Sequence, residues 1–212
     1  MKSFPPSLTT QELLSHHREK RNLIRKRLRE FACVPAVDYF YELAYCLLTP
    51  QSSAFNADRV VNILRHDNFL ETSFNPEPVL RKKEHYVRFH RTKAKRLLEL
   101  RSRFPIVATR LAEGGEPETI REWLVGNVKG LGWKEASHFL RNIGHRDLAI
   151  LDRHILRNLL RVGVIRKLPA ALTPKRYKTI EKKFRKFASV IAIPMDELDL
   201  LFWSMETGEI WK

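Results

Sequence analysis

The sequence predicts an all-α protein built as two helical lobes around a cleft, and three observations predict it. Apolar residues recur at helical spacing through nearly every segment, and no alternating run is long enough for a confident strand. The segments are separated by short Gly, Pro, Ser or Thr breaks, with no repeat and no low-complexity tract. A chain of 212 residues is long enough for one large domain or two small lobes that share a cleft.

The elements follow in order. Residues 8–30 open on Thr9 or Thr10 as an N-cap and carry a Lys/Arg-rich face. Residues 37–48 (VDYFYELAYCLL) are apolar on most sides, which places this helix in a core. The sequence TPQSS at 49–53 breaks it. A helix over 54–66 puts Ala57, Val60, Val61 and Leu64 on one face, and 71–78 reads as a loop. A basic helix is expected over 79–102, ending before Phe104 and Pro105. After a turn at 113–117, helices are expected over 118–127, 134–143, 153–162, 174–192 and 195–204. Residues 1–212 are read as one unit of two interleaved lobes. The hairpin-containing lobe covers 54–163, and helices of 8–50 and 164–212 form the other.

Lys and Arg number 39 against 24 acidic residues, a formal charge of +15, which favours a polyanionic partner. The two cysteines, Cys33 and Cys46, form no CxxC pair, which argues against a thiolate zinc site, and two thiolates are too few for a four-cysteine iron–sulfur cluster. No metal is expected. No apolar run approaches the roughly 18 to 20 residues of a membrane helix, and residues 1–10 have no apolar core of a signal peptide. A monomer in the cytoplasm, associated with the nucleoid, is expected.

The most informative stretch is 117–144, PETIREWLVGNVKGLGWKEASHFLRNIG. Two helices flank VKGLGW, whose Gly130 and Gly132 permit a tight turn and close backbone approach to a ligand. Leu131 can plug back between the helices. The second helix then offers free N–H groups and a positive dipole end to a phosphate. This is the helix-hairpin-helix plan, which grips a nucleic-acid backbone without reading its sequence. The carbonyls of such a turn can also hold a monovalent cation. A purely structural αα-turn is the alternative.

Lys134 begins the second helix of the hairpin, where the helix dipole favours its uncharged amine. That is the form that attacks a sugar C1′ to make a Schiff base. Asp152 follows the apolar run LAIL at 148–151 and precedes a helix carrying Ile155, Leu156, Leu159 and Leu160. It reads as an N-cap. As an ionised carboxylate held in one orientation, it could also stabilise an oxocarbenium-like sugar and help manage the Lys134 proton.

Here LVGNVKGLGWKEASHFLRNIG followed by DLAILDRHILR resembles the helix-hairpin-helix DNA glycosylases, and most closely the type 2 8-oxoguanine DNA glycosylase/lyases of archaea and some thermophilic bacteria. The likeness extends from LLTPQSSAFNADR through FHRTKAKRL to LFWSMETGEIWK. It implies a protein that flips 8-oxoguanine out of double-stranded DNA, breaks its N-glycosidic bond and nicks the strand by β-elimination. It implies Lys134 as nucleophile, Asp152 as the catalytic carboxylate, and His154 of the Asp-x-His pattern on a DNA phosphate. It further implies that the carboxylate of Lys212 helps recognise the base, with Trp203 stacking on it. A backbone carbonyl near Ile193 and Pro194, or a carboxylate, could accept the N7–H that 8-oxoguanine has and guanine lacks. Phe89 is placed in the base pocket and Gln51 where a residue fills the gap left by the flipped base. Arg91 and Lys93, in the basic run around Phe89, suit phosphate contacts. No organic cofactor is implied.

Two other readings remain. The same fold could act on thymine glycol, uracil, a mismatch or abasic sites alone. Alternatively, the chain could be a non-catalytic helix-hairpin-helix module of a larger complex.

Overall fold

The computed structural model describes residues 7–72 and 74–211. Among them every regular element is helical. The chain forms two compact units. One takes residues up to Cys33 and from Leu140 onward; the other is Val34–Phe139.

The unit Val34–Phe139 is built on helix α2 (Tyr39–Leu48), in which every residue after Tyr39 is buried. Helix α3 (Ala54–His66) packs on it through Ala57, Val60, Val61 and Leu64, the face that the sequence spacing predicts. Ser53 caps α3 by accepting from the Asn56 N–H at 3.4 Å. The core is aromatic: the Phe40 ring lies 5.1 Å from Tyr41, 5.2 Å from Phe104 and 6.0 Å from Phe69. A short helix, α4 (Glu77–Arg81), and one 3-10 turn, Lys83–His85, lead to the long helix α5 (His90–Ala112).

This corrects the expected helix over 79–102. Lys82 and Tyr86 take extended ψ values of 136° and 125°, and Phe89 is left-handed at φ 61°, so no continuous helix crosses 82–89. Nor does Pro105 end α5. It lies on the exposed side, between buried Phe104 and Val107. Proline there removes one backbone bond, that to the Arg101 carbonyl, while packing on both sides holds the helix together.

The second unit joins the chain's two ends. Helix α1 (Thr10–Ala32) starts with a capping box, in which Thr9 accepts from the Glu12 N–H at 3.2 Å and Glu12 accepts from the Thr9 N–H at 2.8 Å. Its buried face, Leu13, His17, Ile24, Leu28 and Phe31, packs on α10 (Met195–Thr207). Glu197 of α10 accepts from Arg25 at 2.9 Å and meets His17 at 2.6 Å. Helices α8 (Arg153–Arg161) and α9 (Pro174–Val190) pack against α10 as well.

The unit boundaries therefore fall at 33/34 and 139/140, not near 50 and 163. Helix α2 belongs with α3 and α5 because it is apolar all round and fills their core. Residues 140–163 belong with the terminal helices because α8 buries Ile155, Leu156 and Leu159 in that unit.

Asp196, in the first turn of α10, is buried and accepts from the Asp147 N–H at 3.3 and 3.2 Å. Burial pushes its carboxyl above the usual range, against the opposing pull of that N–H and of Arg146 and Arg141. A raised folded-state value means stability that is full below the unfolded value and is lost as pH rises through the folded one. Asp196→Asn, which keeps an acceptor for Asp147, is thus expected to melt at or above wild type at pH 7, with the advantage gone near pH 3. Thermal unfolding at both pH values checks this.

Candidate functional site

The first part of the site is the hairpin in the unit Val34–Phe139. Helix α6 (Pro117–Asn127) ends in the turn 128–132, from which α7 (Trp133–Asn142) departs. Val128 and Leu131 are buried, whereas Lys129 and Gly130 are exposed. The turn closes with the Leu131 N–H donating to the Val128 carbonyl at 3.1 Å. Gly130 is left-handed at φ +86°, and a Cβ there would meet the Arg96 guanidinium at 2.5 Å. A Cβ on Gly132 would lie 2.7 Å from Glu135 Oε2. Each glycine thus lets a charged side chain lie against the turn. Beneath it, buried Arg121 donates to Ser137 at 3.1 Å and lies over the Trp133 ring at 4.8 Å. Arg96, Arg103 and Lys129 line a small hollow beside the turn, with Lys129 3.4 Å from Glu99.

Lys134 stands second in α7, with its side chain about one quarter exposed and Nζ 3.5 Å from Glu135 Oε1. Adjacent helical residues point about 100° apart, so this contact requires Glu135 to fold back over the helix start.

Lys93 corrects the expected phosphate contact. It is 2% exposed, and its Nζ donates to the Leu48 carbonyl at 2.7 Å, the Pro50 carbonyl at 2.7 Å and Ser52 Oγ at 3.0 Å. Burial, reinforced by Arg96 and Lys134 and opposed by Glu135, lowers its pKa to about 8. Three acceptors use all three N–H bonds of an ammonium, so nothing remains for a phosphate. Its neighbour Arg91 is 81% exposed, 3.6 Å from Glu77, and is free to reach outward. Gln51 is exposed and left-handed at φ 55°, and half-exposed Phe89 has Arg88 over its ring at 4.9 Å.

The other residues lie in the second unit. Asp152 caps α8, its Oδ1 accepting from the N–H groups of His154 and Ile155, both at 2.8 Å. The apolar run before it is anchored by α9. The Ala149 N–H donates to Glu181 at 2.8 Å, and the Tyr177 hydroxyl donates to the Ala149 carbonyl and accepts from the Leu151 N–H. His154 is mostly covered, with Nδ1 3.6 Å from Glu206 and Nε2 accepting from Arg153 at 3.1 Å. Trp203 is half-buried on α10. Pro194 is exposed just before α10, and its carbonyl accepts from the Leu198 N–H at 3.0 Å. Lys212 lies outside the described residues. Among the described residues, no three His, Cys, Asp or Glu side chains gather as a metal site.

Sequence reasoning missed Ser52, Tyr177, Glu181 and Glu206, whose roles depend on partners distant in the chain. Lys93 did carry a signal: it shares a helical stripe with Leu97, Leu100, Phe104 and Val107.

The all-helical architecture and the glycine turn define a helix-hairpin-helix protein. A family model described as 8-oxoguanine DNA glycosylase matches residues 24–193. A relative named 8-oxoguanine DNA glycosylase/AP lyase in Fusobacterium nucleatum is 40% identical, covering 95% of this chain and 96% of the relative. The crystal structure of the 8-oxoguanine DNA glycosylase of Thermotoga maritima is similar with a TM-score of 0.85 and 34% identity, over 96% of this chain and 98% of that one. The Methanocaldococcus jannaschii 8-oxoguanine glycosylase/lyase, solved in complex with a 15mer DNA containing 8-oxoguanine, is similar with a TM-score of 0.84 and 34% identity, over 94% and 99%. The chain belongs to the 8-oxoguanine DNA glycosylase family.

The two turn glycines differ in a testable way. Gly130→Ala forces a left-handed alanine and displaces Arg96, so it is expected to lose about 1–2 kcal/mol of stability. Gly132→Ala meets only the mobile end of Glu135, and its lower unfolded-state entropy offsets about 0.4–1 kcal/mol, leaving it near wild type. Denaturant unfolding of both variants makes the comparison.

Proposed function

We propose that this protein excises 8-oxoguanine from double-stranded DNA and cleaves the strand at the resulting abasic site. The observation that carries this reading is Lys134 in the first turn of α7, directly after the glycine turn. An amine there belongs to the helix start that receives a DNA phosphate on its free N–H groups. The relatives named 8-oxoguanine DNA glycosylase/AP lyase, matched along almost the whole chain, support the same assignment.

In this mechanism the lone pair of the uncharged Lys134 amine attacks C1′ of the flipped nucleotide. The N-glycosidic bond breaks and the base leaves with its electron pair, taking up a proton. Asp152 has one carboxylate oxygen fixed by two backbone N–H groups. Its negative charge stabilises the cationic sugar and accepts a proton shed by the attacking amine. Ring opening of the aminal gives the Schiff base. Loss of a C2′ proton then expels the 3′ phosphate and nicks the strand.

The remaining residues divide between backbone grip and base handling. The Gly130 and Gly132 turn, Arg91 and His154 hold the DNA backbone; His154 reaches a phosphate when Glu206 yields. Gln51 fills the gap in the duplex, and Phe89 and Trp203 stack on the everted base, a contact worth about 1–3 kcal/mol per base. A carbonyl near Pro194 accepts the N7–H. No organic cofactor enters the reaction, and a monovalent cation on the hairpin carbonyls would serve binding alone.

Borohydride trapping on an 8-oxoguanine duplex tests the reading. Wild type is expected to form a covalent adduct, and Lys134→Gln none while still binding the duplex. Asp152→Asn should slow single-turnover excision by about 10²–10⁴. Absence of a wild-type adduct, or undiminished trapping by Lys134→Gln, sinks the mechanism. Uracil, thymine-glycol and abasic duplexes run alongside establish whether 8-oxoguanine is the preferred lesion.

A further inference from the structure

Lys93 is a fully buried cation whose whole donor capacity goes into one short segment. Two of its bonds end on the Leu48 and Pro50 carbonyls, at and just beyond the C-terminus of α2. Carbonyls there have no helical partners, and the dipole favours a positive charge. Its third bond ends on Ser52 Oγ, at 3.0 Å. Ser52 Oγ also accepts from the Arg88 N–H at 2.9 Å. The lysine therefore ties the 49–53 loop to the turn that leads into α5.

The two segments it joins each carry a strained residue. Gln51 stands between Pro50 and Ser52 at φ 55°, and Phe89 follows Arg88 at φ 61°. Neither residue type settles readily in the left-handed region, which persists where surrounding structure over-determines it. Both side chains are exposed or half-exposed rather than packed away. Capping α2 alone would need only the two carbonyl bonds. The bond to Ser52, and through it to Arg88, adds nothing to the helix end; it fixes the two exposed side chains relative to each other.

We propose that Lys93 is a positioning residue for base eversion: through Ser52 it locks the Gln51 loop and the Phe89 turn into one arrangement, so that gap filling and base stacking take place together. This rests on the roles given to Gln51 and Phe89 in the proposed function. The clasp needs an ammonium, since a neutral amine has only two N–H bonds for three acceptors. The charged groups facing Lys93 are Arg96 on its own helix and Lys134 and Glu135 on α7. The net effect with burial is a pKa of about 8, so the clasp is intact below that pH and loosens above it.

The test compares two reactions of the same protein: single-turnover excision from an 8-oxoguanine duplex, and strand cleavage of a duplex with a preformed abasic site. The second uses the same Lys134 chemistry but has no base to stack. Lys93→Met keeps the buried volume and removes all three bonds; Ser52→Ala leaves the lysine in place and cuts the link to Arg88. Both are checked for wild-type circular dichroism, and Ser52→Ala carries the test if Lys93→Met does not fold. Misplacement of reacting groups by about 1 Å can cost about 10²-fold; excision by Lys93→Met is therefore expected to fall at least about tenfold, and by Ser52→Ala about threefold or more. Abasic-site cleavage should fall less than about threefold in either variant. In wild type, the ratio of excision to abasic cleavage should drop as pH rises through about 8, and in Lys93→Met it should be flat. Equal losses in both reactions reduce Lys93 to a structural cap and overturn the inference, as do variants with undiminished excision. A wild type that neither excises 8-oxoguanine nor traps with borohydride defeats the functional reading itself, and the inference falls with it.

Discussion

A helix cannot satisfy the N–H groups of its own first turn, and that constraint organises this protein. Lys134 and Asp152 both stand at helix starts, where the unpaired donors must be met by something. At α8 the chain meets them itself, with Asp152 Oδ1 bound to two N–H groups. At α7, glycine at 132 admits the folded-back Glu135 carboxylate over the helix start. The two helix starts differ chemically. A capping aspartate is fixed by its two hydrogen bonds, whereas a carboxylate at the end of a flexible glutamate can swing aside and open the helix start, where N–H groups favour an anion.

Much of the surrounding structure serves to hold those helix starts still. Tyr177 and Glu181 of α9 bind the backbone at Ala149 and Leu151, so the run before Asp152 cannot slide. Leu131, buried while its neighbours Lys129 and Gly130 are exposed, anchors the hairpin turn in the same way with an apolar plug. Polar anchoring is used where the run passes through a core, because its N–H and C=O groups would otherwise be buried without partners. The hairpin turn lies at the surface, where water or a ligand can satisfy it, and an apolar anchor is enough.

What was legible in the sequence followed the range of the interactions. The hairpin, the faces of α2 and α3, and the Asp152 cap were readable because caps, glycine turns and helical stripes involve residues within a few positions of one another. The helix over 79–102 was misread for a related reason. Periodicity cannot register a single left-handed residue such as Phe89, and it overrates Pro105, whose cost is borne by buried Phe104 and Val107 on either side. Unit boundaries were misplaced because neither crossing point, at 33/34 or 139/140, is marked by a linker; the second lies inside α7. The assignment of α2 depends on which helices cover an all-round apolar surface, and that is a long-range fact. Lys93 was the instructive error. Its charge suggested solvent, but its place on the apolar stripe of α5 was the stronger signal, and the carbonyls it serves lie some forty residues earlier.

The left-handed residues sharpen this distinction between local and distant causes. Asn68 and Asp147, at φ 55° and 63°, are types that enter the region readily, because a short polar side chain can bond to the nearby backbone. They need no explanation beyond their own turns. Gln51 and Phe89 have no such local help, and each is itself proposed to handle the base, Gln51 from the loop and Phe89 from the turn before α5. Strain of this kind persists only when neighbouring structure holds it. For Gln51 and Phe89 the holding structure is one buried ammonium and one hydroxyl. Ala192, left-handed at φ 53°, is by contrast held locally by the end of α9, where its N–H donates to Ser189 at 3.2 Å and the next, from Ile193, to Ala188 at 3.1 Å. The side chains proposed to handle the base, Gln51 and Phe89, are thus set by their neighbours rather than by their own preferences. Side chains proposed to meet an everted nucleotide would need that kind of support to keep their places without one.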